Sequence, residues 1–335
     1  MKILVAGGAG FIGSVLIPKL LDRGYDVDVV ELFWFGNQLP PEVGTLKKDI
    51  FHLCVDDLKN YEQVIFLAGL SNDPMAEYSP SKNFIFNAAA PAYLAYIAKN
   101  AGVKRYVYAS SCSVYGYTEN ELYDETRPAV CAYPYGISKL QGEQAALQLQ
   151  DDKFSVISLR KGTACGYSPR MRLDLIINTM FKSAMRDRMI IVNNPSIWRP
   201  ILSIEDAASA YIRAVEANYK ISGIFNIASG NYTVGEVADS VRRSIEMHTG
   251  WKINLQIRFI QDFRNYKVTT NKAQNVLSFH PQNDVGSIIT SLIENRSKFD
   301  DWDNPLYYNI EAFRRLEAGL NPTAWATAGV GSQWQ

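Results

Sequence analysis

Residues 2–13 read Lys2-Ile3-Leu4-Val5-Ala6-Gly7-Gly8-Ala9-Gly10-Phe11-Ile12-Gly13, an apolar run that passes directly into a glycine-rich turn. The apolar run is typical of a buried parallel strand, and the amphipathic stretch after the turn ends at Gly24, a common helix stop. The spacing of Gly7, Gly10 and Gly13 lets the backbone approach a pyrophosphate at the positive end of that helix. These residues therefore predict a dinucleotide-binding unit at the start of the chain.

A second apolar strand, residues 27–30, ends at Glu31, about twenty positions beyond the glycines. A carboxylate in this place accepts hydrogen bonds from the adenosine ribose hydroxyls and repels a 2′-phosphate. Asp26 and Asp28 are close in sequence, and Glu31 is preferred because it stands where the strand ends. NAD is therefore predicted rather than NADP.

The alternation of strands and helices then continues along the first half of the chain. Apolar strands are predicted at residues 46–50, 64–69, 105–109 and 154–159, with helices at 80–100 and 134–150. This regular pattern predicts an α/β fold, a Rossmann-type doubly wound parallel sheet, whose ligands bind at the carboxyl ends of the strands. The predicted strand ends carry Gly7, Glu31, Ala68, Ser111 and Arg160.

The rhythm changes after about residue 160. Helices are predicted at residues 173–186, 204–216 and 233–248, and strands at 223–228 and 252–259. We expect an NAD-binding domain at 1–160, a smaller α/β substrate lobe at 161–318 that is partly interleaved with it, and a flexible tail at 319–335.

Charge and composition exclude several classes of protein. Lys and Arg together number 34, as do Asp and Glu, so the formal net charge is zero and nucleic-acid binding is not expected. The four cysteines are scattered without a Cys-x-x-Cys pair, and the three histidines are dispersed, which argues against a metal site. Reduced thiols and the lack of a long apolar run predict a cytoplasmic protein without membrane spans.

Tyr135 and Lys139 are four residues apart on the helix predicted to begin near Pro134, so they share one face. An ammonium beside a phenol favours the phenolate and lowers the phenol pKa. A tyrosine with a lowered pKa can take a proton from a sugar or alcohol hydroxyl near neutral pH. A Tyr-x-x-x-Lys pair also occurs on solvated helix faces, so the surrounding residues must decide between these readings.

Four segments together resemble an extended short-chain dehydrogenase/reductase of the NAD-dependent nucleotide-sugar epimerase/dehydratase family. The resemblance covers residues 1–295. The segments are Gly7-Gly8-Ala9-Gly10-Phe11-Ile12-Gly13, Ser110-Ser111-Cys112-Ser113-Val114-Tyr115-Gly116, Tyr135-Gly136-Ile137-Ser138-Lys139, and Trp198-Arg199-Pro200-Ile201-Leu202-Ser203-Ile204-Glu205-Asp206. Each is a weak signal alone, and their order and spacing carry the likeness.

The resemblance implies that Tyr135 is the general acid/base, that Lys139 binds the nicotinamide ribose and lowers the Tyr135 pKa, and that Ser111 hydrogen-bonds the reacting oxygen. Ser111 could instead be a strand-end cap. Beyond these three, the expected cofactor-binding residues are Gly7, Gly10, Phe11, Ile12, Gly13, Glu31, Asp49 (near the adenine), Ile50, Leu67, Ala68, Gly69, Asn87 and Ser110. The expected substrate-binding residues are Ser71, Thr163, Arg170, Arg172, Asn178, Arg199 and Arg264, the arginines because their planar donors suit a diphosphate.

Departures from the family pattern narrow the chemistry. The family's dehydratases carry Asp-Glu after the active-site Ser/Thr, and Cys112-Ser113 stand there in this chain, so sugar dehydration is disfavoured. Reductases similar to fucose synthases use NADPH and a separate histidine, for which Glu31 and the histidine positions give no support. Residues 160–166 replace an aromatic-and-Asn segment beside the sugar pocket, which argues against an ordinary UDP-galactose 4-epimerase. Residues 166–175 resemble a subgroup that includes nucleotide-heptose 4-dehydrogenases.

The resemblance thus implies an NAD-dependent enzyme that acts at C4 of a nucleotide-activated sugar as an epimerase. A 4-dehydrogenase or a 4-ketosugar reductase would use the same Ser, Tyr and Lys and remains an alternative. A non-catalytic, dinucleotide-sensing binding protein is a further alternative from another class. The helices that follow Pro80 and Pro134 are expected to pair two chains into a homodimer, because family members do so.

Overall fold

The computed structural model describes residues 1–262 and 264–320 and is built around one large parallel sheet. The strands of the described chain are β1 (Lys2–Ala6), β2 (Asp26–Glu31), β3 (Gly44–Lys47), β4 (Gln63–Phe66), β5 (Arg105–Ser111), β6 (Tyr117–Tyr123), β7 (Ser155–Lys161), β8 (Thr163–Cys165), β9 (Met189–Asn193), β10 (Trp198–Ser203), β11 (Gly223–Ile227), β12 (Gly230–Thr233), β13 (Asn254–Arg258) and β14 (Asn265–Val268). Of the tail expected at 319–335, residues 321–335 lie outside the described residues.

The helices surround this sheet or belong to the second half of the chain. They are α1 (Gly13–Leu21), α2 (Val55–Leu58), α3 (Asp73–Tyr78), α4 (Pro80–Phe84), α5 (Ala90–Asn100), α6 (Pro134–Leu147), α7 (Ile176–Asp187), α8 (Ile204–Glu216), α9 (Val234–Thr249), α10 (Asn271–Leu277), α11 (Val285–Glu294) and α12 (Asn309–Glu317). Short 3₁₀ turns lie at Ile50–His52, Cys112–Tyr115, Arg296–Lys298 and Pro305–Tyr307. None of the helices in the described ranges is long and apolar enough to cross a membrane.

The large sheet runs β3-β2-β1-β4-β5-β7-β11, and in the described chain all of its neighbouring strands pair in parallel. The predicted doubly wound α/β class is therefore confirmed. Strand order reverses between β1 and β4, and a crevice at the carboxyl ends of strands forms at such a reversal. Successive residues of β1 enter different cores, Ile3 and Val5 on one face and Leu4 and Ala6 on the other, because both faces are covered by helices.

The helix predicted at residues 80–100 is interrupted by a π-helical turn, Ile85–Ala89, that joins α4 to α5. Pro91 has no N–H, so it cannot donate to the carbonyl of Asn87 as a helical residue would. That carbonyl instead accepts a hydrogen bond from the Tyr108 hydroxyl at 2.9 Å. The proline thus opens the helix by one residue and ties it to β5, which sequence periodicity alone did not reveal.

The second half of the chain supplies short sheets beside the carboxyl edge of the large one. Strand β10, which carries Arg199, pairs with β8 and β12. Strand β6, which follows residue 116, pairs in parallel with β14. Helix α8 matches its predicted bounds, and the Ser203 hydroxyl caps it by accepting from the Glu205 N–H at 3.1 Å.

A buried ion pair fastens α6 to β7 behind the carboxyl edge. The Nη2 of Arg160 lies 2.6 Å from Oε1 of Glu143, and their side chains are 4% and 0% exposed. We expect Glu143→Gln to lower the free energy of unfolding by about 3–5 kcal/mol, because it leaves a buried guanidinium without its counter-charge. Chemical denaturation measures this loss.

The exposed pair of Lys104 and Glu62, whose side chains are 54% and 42% exposed, provides the control. We expect Glu62→Gln to cost less than about 1 kcal/mol, since solvent screens that pair. Equal losses in the two variants would contradict the structural role assigned to the buried pair.

Candidate active site

A cavity of about 400 Å³ opens at the carboxyl edge of the large sheet. It extends from the glycine turn after β1 to the N-terminal end of α6 and the loop before α7. Of the residues predicted from the sequence, those that line it are Gly7, Gly10, Phe11, Ile12, Gly13, Leu67, Ala68, Gly69, Ser71, Ser111, Tyr135, Lys139, Thr163, Arg170, Arg172, Arg199 and Arg264. Residues that are far apart in the sequence therefore line the same cavity.

The glycine turn is shaped by two close approaches of the backbone. Gly7 has a φ of +78°, and a Cβ there would lie 2.4 Å from the backbone N of Ala68. A Cβ on Gly13 would lie 2.1 Å from the carbonyl oxygen of Gly8, inside the fold. At Gly10 a Cβ would meet only the Gly7 carbonyl, at 3.2 Å, and Gly10 lines the cavity. The turn therefore offers bare backbone to a ligand, as pyrophosphate binding requires.

A narrower cavity of about 120 Å³ continues from the turn towards β2 and is lined by Glu31, Asp49 and Ile50. Oε1 of Glu31 accepts hydrogen bonds from the backbone N–H of Leu32 at 2.9 Å and of Phe33 at 3.4 Å. Burial raises the pKa of Glu31, and these N–H groups oppose the rise. The second oxygen of a carboxylate held in this way can accept from a ribose hydroxyl.

Tyr135 and Lys139 lie on α6 in the wall of the cavity, opposite the glycine turn. The Lys139 Nζ donates to the carbonyl oxygen of Ala109 at 3.1 Å and lies 6.0 Å from the centre of the Tyr135 ring. Ser111 is the last residue of β5, and its hydroxyl accepts a hydrogen bond from the Ser113 N–H at 3.2 Å. The three groups that acid/base chemistry at a hydroxyl would require are thus gathered at one point.

The ionisation of this pair differs from the sequence expectation. Burial raises the pKa of Tyr135 to about 12, with the charge of Asp73 adding to the rise and Ser111 and Arg172 opposing it. Burial lowers the pKa of Lys139 well below its usual value, and the neighbouring Lys161 lowers it further. We expected Lys139 to depress the Tyr135 pKa, but in the chain alone the Tyr135 pKa is raised, because burial is the largest influence on it.

Arginine side chains on the opposite wall are held in ion pairs. Arg172 bonds Asp174 at 2.8 Å and donates to the Ser71 hydroxyl at 2.7 Å. The carboxylate of Asp262 pairs with two further arginines, Arg199 at 3.1 Å and Arg264 at 2.7 Å. These pairs fix planar donors in a part of the site where a diphosphate could bind.

Arg170 lies on the cofactor side of the cavity. Its guanidinium carbon is 3.7 Å from the centre of the Phe35 ring, and Nη2 donates to Asn309 Oδ1 at 2.6 Å. Its charge acts on Glu31, and burial lowers the pKa of Arg170 to about 9. Its Nε is buried with no hydrogen-bond partner among the described residues. The unsatisfied donor and the bare glycine turn both fit an anionic dinucleotide.

Three residues predicted to touch a ligand lie behind the wall instead. Asn87 is fully buried and donates to the Leu70 carbonyl at 2.8 Å. Ser110 is also fully buried and does not line the cavity. Asn178 accepts from the N–H of Gly166 at 3.0 Å and donates to its carbonyl at 2.9 Å. Asn87 and Asn178 therefore position loops that line the site.

The sequence reading missed several residues that line the cavity, namely Phe35, Asp73, Ser113, Lys161, Tyr266 and Asn309. Asp73 begins a helix that was not predicted, and it bonds Arg264 at 2.7 Å. Lys161 had a usable signal, because it ends a strand whose neighbour ends at Ser111. In the described chain, no cluster of histidine, cysteine, aspartate and glutamate side chains could hold a metal ion.

Comparisons with known proteins agree with this geometry. A model of the NAD dependent epimerase/dehydratase family matches residues 3–228. UDP-glucose 4-epimerase of Neisseria gonorrhoeae is 26% identical over 288 residues, which cover 76% of this chain and 85% of that protein. UDP-glucuronic acid decarboxylase 3 of Arabidopsis thaliana is 26% identical over 304 residues, or 84% of this chain and 85% of that protein. The solved structure of MoeE5 in complex with UDP-glucuronic acid and NAD is 28% identical, with a TM-score of 0.78, and covers 89% of this chain and 100% of that one.

Two glycines of the turn give a matched pair of variants. We expect Gly10→Ala to fold normally but to bind a dinucleotide about 10- to 100-fold more weakly, because its methyl group projects where the pyrophosphate must approach. Gly13→Ala should lose thermal stability as well, because its Cβ would lie 2.1 Å from the Gly8 carbonyl oxygen. Thermal melting and dinucleotide titration measure the two effects, and unchanged binding in Gly10→Ala would contradict the assignment of the turn.

Proposed function

Because the chain belongs to the NAD-dependent epimerase/dehydratase family and NAD is its cofactor, we propose that it oxidises C4 of a nucleotide-activated sugar and epimerises that carbon. The main support is a single cavity that joins the glycine turn to Ser111, Tyr135 and Lys139 and carries arginines on the opposite wall. This arrangement would bring a nicotinamide, a sugar hydroxyl and a diphosphate together.

Bound NAD supplies an acceptor for the hydride that leaves the sugar carbon. The glycine turn and Arg170 would hold its pyrophosphate, Glu31 its adenosine ribose, and Lys139 its nicotinamide ribose. Asp49 and Ile50 would line the adenine pocket, and Phe11, Ile12, Leu67, Ala68 and Gly69 would line the path between the two ends.

Tyr135 accepts the proton of the sugar hydroxyl as the carbon is oxidised and returns it to the ketone oxygen in the reverse direction. Ser111 hydrogen-bonds the same oxygen and holds it towards Tyr135. Because burial raises the Tyr135 pKa to about 12, the phenolate must be stabilised by positive charge at the moment of transfer. Lys139, whose Nζ lies 6.0 Å from the centre of the Tyr135 ring, would contribute to that charge, and bound oxidised NAD would add to it.

The second half of the chain holds the nucleotide diphosphate. Arg199 and Arg264 present planar donors, and Ser71 and Thr163 supply hydroxyls in the same cavity. Arg172 bonds Ser71 and thereby connects these groups to the loop that carries Arg170. In this proposal residues 1–160 hold most of the cofactor and residues 161–318 most of the sugar nucleotide, with Arg170 and Ser71 as the exceptions. Strand β11 of the second part completes the large sheet.

A 4-dehydrogenase or 4-ketosugar reductase would use the same residues without returning the hydride to the opposite face. Product analysis separates these reactions. The purified protein is given UDP-, GDP-, dTDP- and CDP-sugars while NADH absorbance is followed and the products are identified. A sugar inverted at C4 without net NADH supports epimerisation, whereas stoichiometric NADH and a ketosugar support the dehydrogenase.

We expect the chain to form a homodimer through the helices that follow Pro80 and Pro134, of which the second is α6. The cysteines at positions 54, 112, 131 and 165 are all free, which is consistent with a cytoplasmic setting. No nucleic acid or membrane enters the proposed activity.

Tyr135→Phe tests whether the chain is an enzyme. We expect it to lose at least about 100-fold in turnover, since the proton acceptor is removed, while NAD content stays the same. Tyr96→Phe, at a residue that is 56% exposed, is the control and should keep full turnover. A protein that only senses the dinucleotide would respond equally to both variants.

Glu31→Gln tests the choice of cofactor. We expect this variant to discriminate less between NAD and NADP, because the carboxylate that repels a 2′-phosphate is gone while the nearby charge of Arg170 remains. Binding constants for the two dinucleotides measure the change, and an unaltered ratio would remove Glu31 from this role.

A further inference from the structure

Within the part of the chain that the structure describes, Lys161 lines the active-site cavity without a hydrogen bond or an ion pair. Lys161 is the last residue of β7 and lies directly opposite Ser111, the last residue of β5, in the register of the two strands. Both residues line the cavity that contains Tyr135. Lys161 therefore stands next to the groups proposed to act on the sugar.

Three arginines of this cavity are compensated by carboxylates, and Arg170 is held by Asn309 and the Phe35 ring although its Nε has no partner among the described residues. Arg172 pairs with Asp174, and Arg199 and Arg264 share the carboxylate at position 262. Lys139 donates to the Ala109 carbonyl. Among residues 1–262 and 264–320, in contrast, the Lys161 ammonium makes neither a hydrogen bond nor an ion pair.

This isolation is energetically unfavourable for the chain alone. Burial lowers the pKa of Lys161 to about 8, and the charge of Arg172 adds to the effect, while Cys112 opposes it. The charge of Lys161 also lowers the pKa of Lys139, which lies on helix α6. The side chain is only partly buried, so the ammonium is accessible from the cavity, and an anion bound there would supply the counter-charge that the chain does not.

The position of Lys161 identifies the part of the ligand that would meet this charge. The diphosphate has its own candidates in Arg199 and Arg264, which are tied to α3 and to the segment before β14. Lys161 instead neighbours Ser111, Cys112 and Lys139, where the proposed reaction places the sugar ring. A lysine here is suited to a negative group carried by that ring.

We propose that Lys161 binds a carboxylate on the sugar, so that the substrate is a nucleotide-linked uronic acid. This inference rests on the proposed function and specifies its substrate class. The ammonium donates to the carboxylate, and the bound anion restores the charge balance that the cavity lacks. Lys161 is thus a specificity-determining residue that leaves proton transfer to Tyr135.

Matched sugar nucleotides test the inference in the full chain loaded with NAD. The probes are UDP-glucuronic acid against UDP-glucose and GDP-mannuronic acid against GDP-mannose, because each pair differs by one carboxylate. We expect the uronate of the accepted nucleotide to bind more tightly, and Lys161→Met to weaken it by about 10- to 100-fold with a much smaller effect on the neutral sugar. Lys161→Arg should retain the preference.

The pH dependence gives a second readout. An ammonium is charged below its pKa, so the preference for the uronate should be complete below about pH 8 and decline as pH rises above it. Lys161→Arg should extend the preference to higher pH, because arginine stays protonated. Cys112, Lys139 and Arg172 interact electrostatically with Lys161, and the titratable Tyr135 lines the same cavity; all four are the same in each variant.

Lys182→Met is the control, since Lys182 is another partly buried lysine whose pKa burial lowers, but it lies on α7 and bonds Tyr308. It should leave both sugars unaffected. Equal losses for uronate and neutral sugar in Lys161→Met would assign Lys161 to the diphosphate, and loss of NAD would assign it to the cofactor. Either result overturns the inference, as does tight binding of the neutral sugar alone.

Failure of the proposed function gives a different pattern. If no UDP-, GDP-, dTDP- or CDP-sugar binds or reacts while NAD remains bound, the nucleotide-sugar activity itself is refuted, and the inference is refuted with it. If the neutral sugars react and the uronates do not, the proposed function stands and only the inference is lost. Thermal melting of Lys161→Met and Lys161→Gln verifies that the variants fold, and we expect neither to melt below the unaltered chain.

Discussion

Burial of ionisable groups at the carboxyl edge of the sheet governs what this site can do. Enclosure raises the pKa of Tyr135 and lowers the pKa values of Lys139, Lys161 and Arg170. Each shift disfavours the charged form, so in the chain alone neither the phenolate of Tyr135 nor the positive charge of these cations is favoured. Activation therefore depends on ligands that bring compensating charge into the cavity.

The scaffold keeps these groups enclosed by satisfying the polar groups behind them. Glu143 on α6 accepts from both Arg160 and Ser158 of β7, so the helix that carries Tyr135 is anchored to the strand that ends at Lys161. The Tyr108 hydroxyl donates a hydrogen bond to the Asn87 carbonyl, which Pro91 cannot bond because it has no N–H. Buried polar groups satisfied in this way support the wall that carries Tyr135 and Lys161.

The sequence predicted the large sheet well because alternating apolar strands and helices determine it locally. Strand ends and helix spacing predicted five site residues, Gly7, Glu31, Ser111, Tyr135 and Lys139. All of these except Glu31 line the larger cavity. The π-helical turn before α5, the strand β6 and the place of Asp73 could not be predicted, because they depend on contacts between distant segments. The ionisation of Tyr135 was misjudged for a related reason, since burial is not visible in residue spacing.

The cavity contains arginines held in ion pairs and a lysine that has none among the described residues, and this difference has a chemical consequence. Arginines in ion pairs can rotate from a carboxylate to a phosphate with little change in their surroundings, so they suit an anion that every substrate of the site shares. An ammonium without a partner gains far more from an anion than from a neutral group, so it discriminates between substrates. The paired arginines, Arg172, Arg199 and Arg264, therefore favour binding of the common diphosphate. Lys161, which has no partner in the described part of the chain, is the residue best placed to select the sugar.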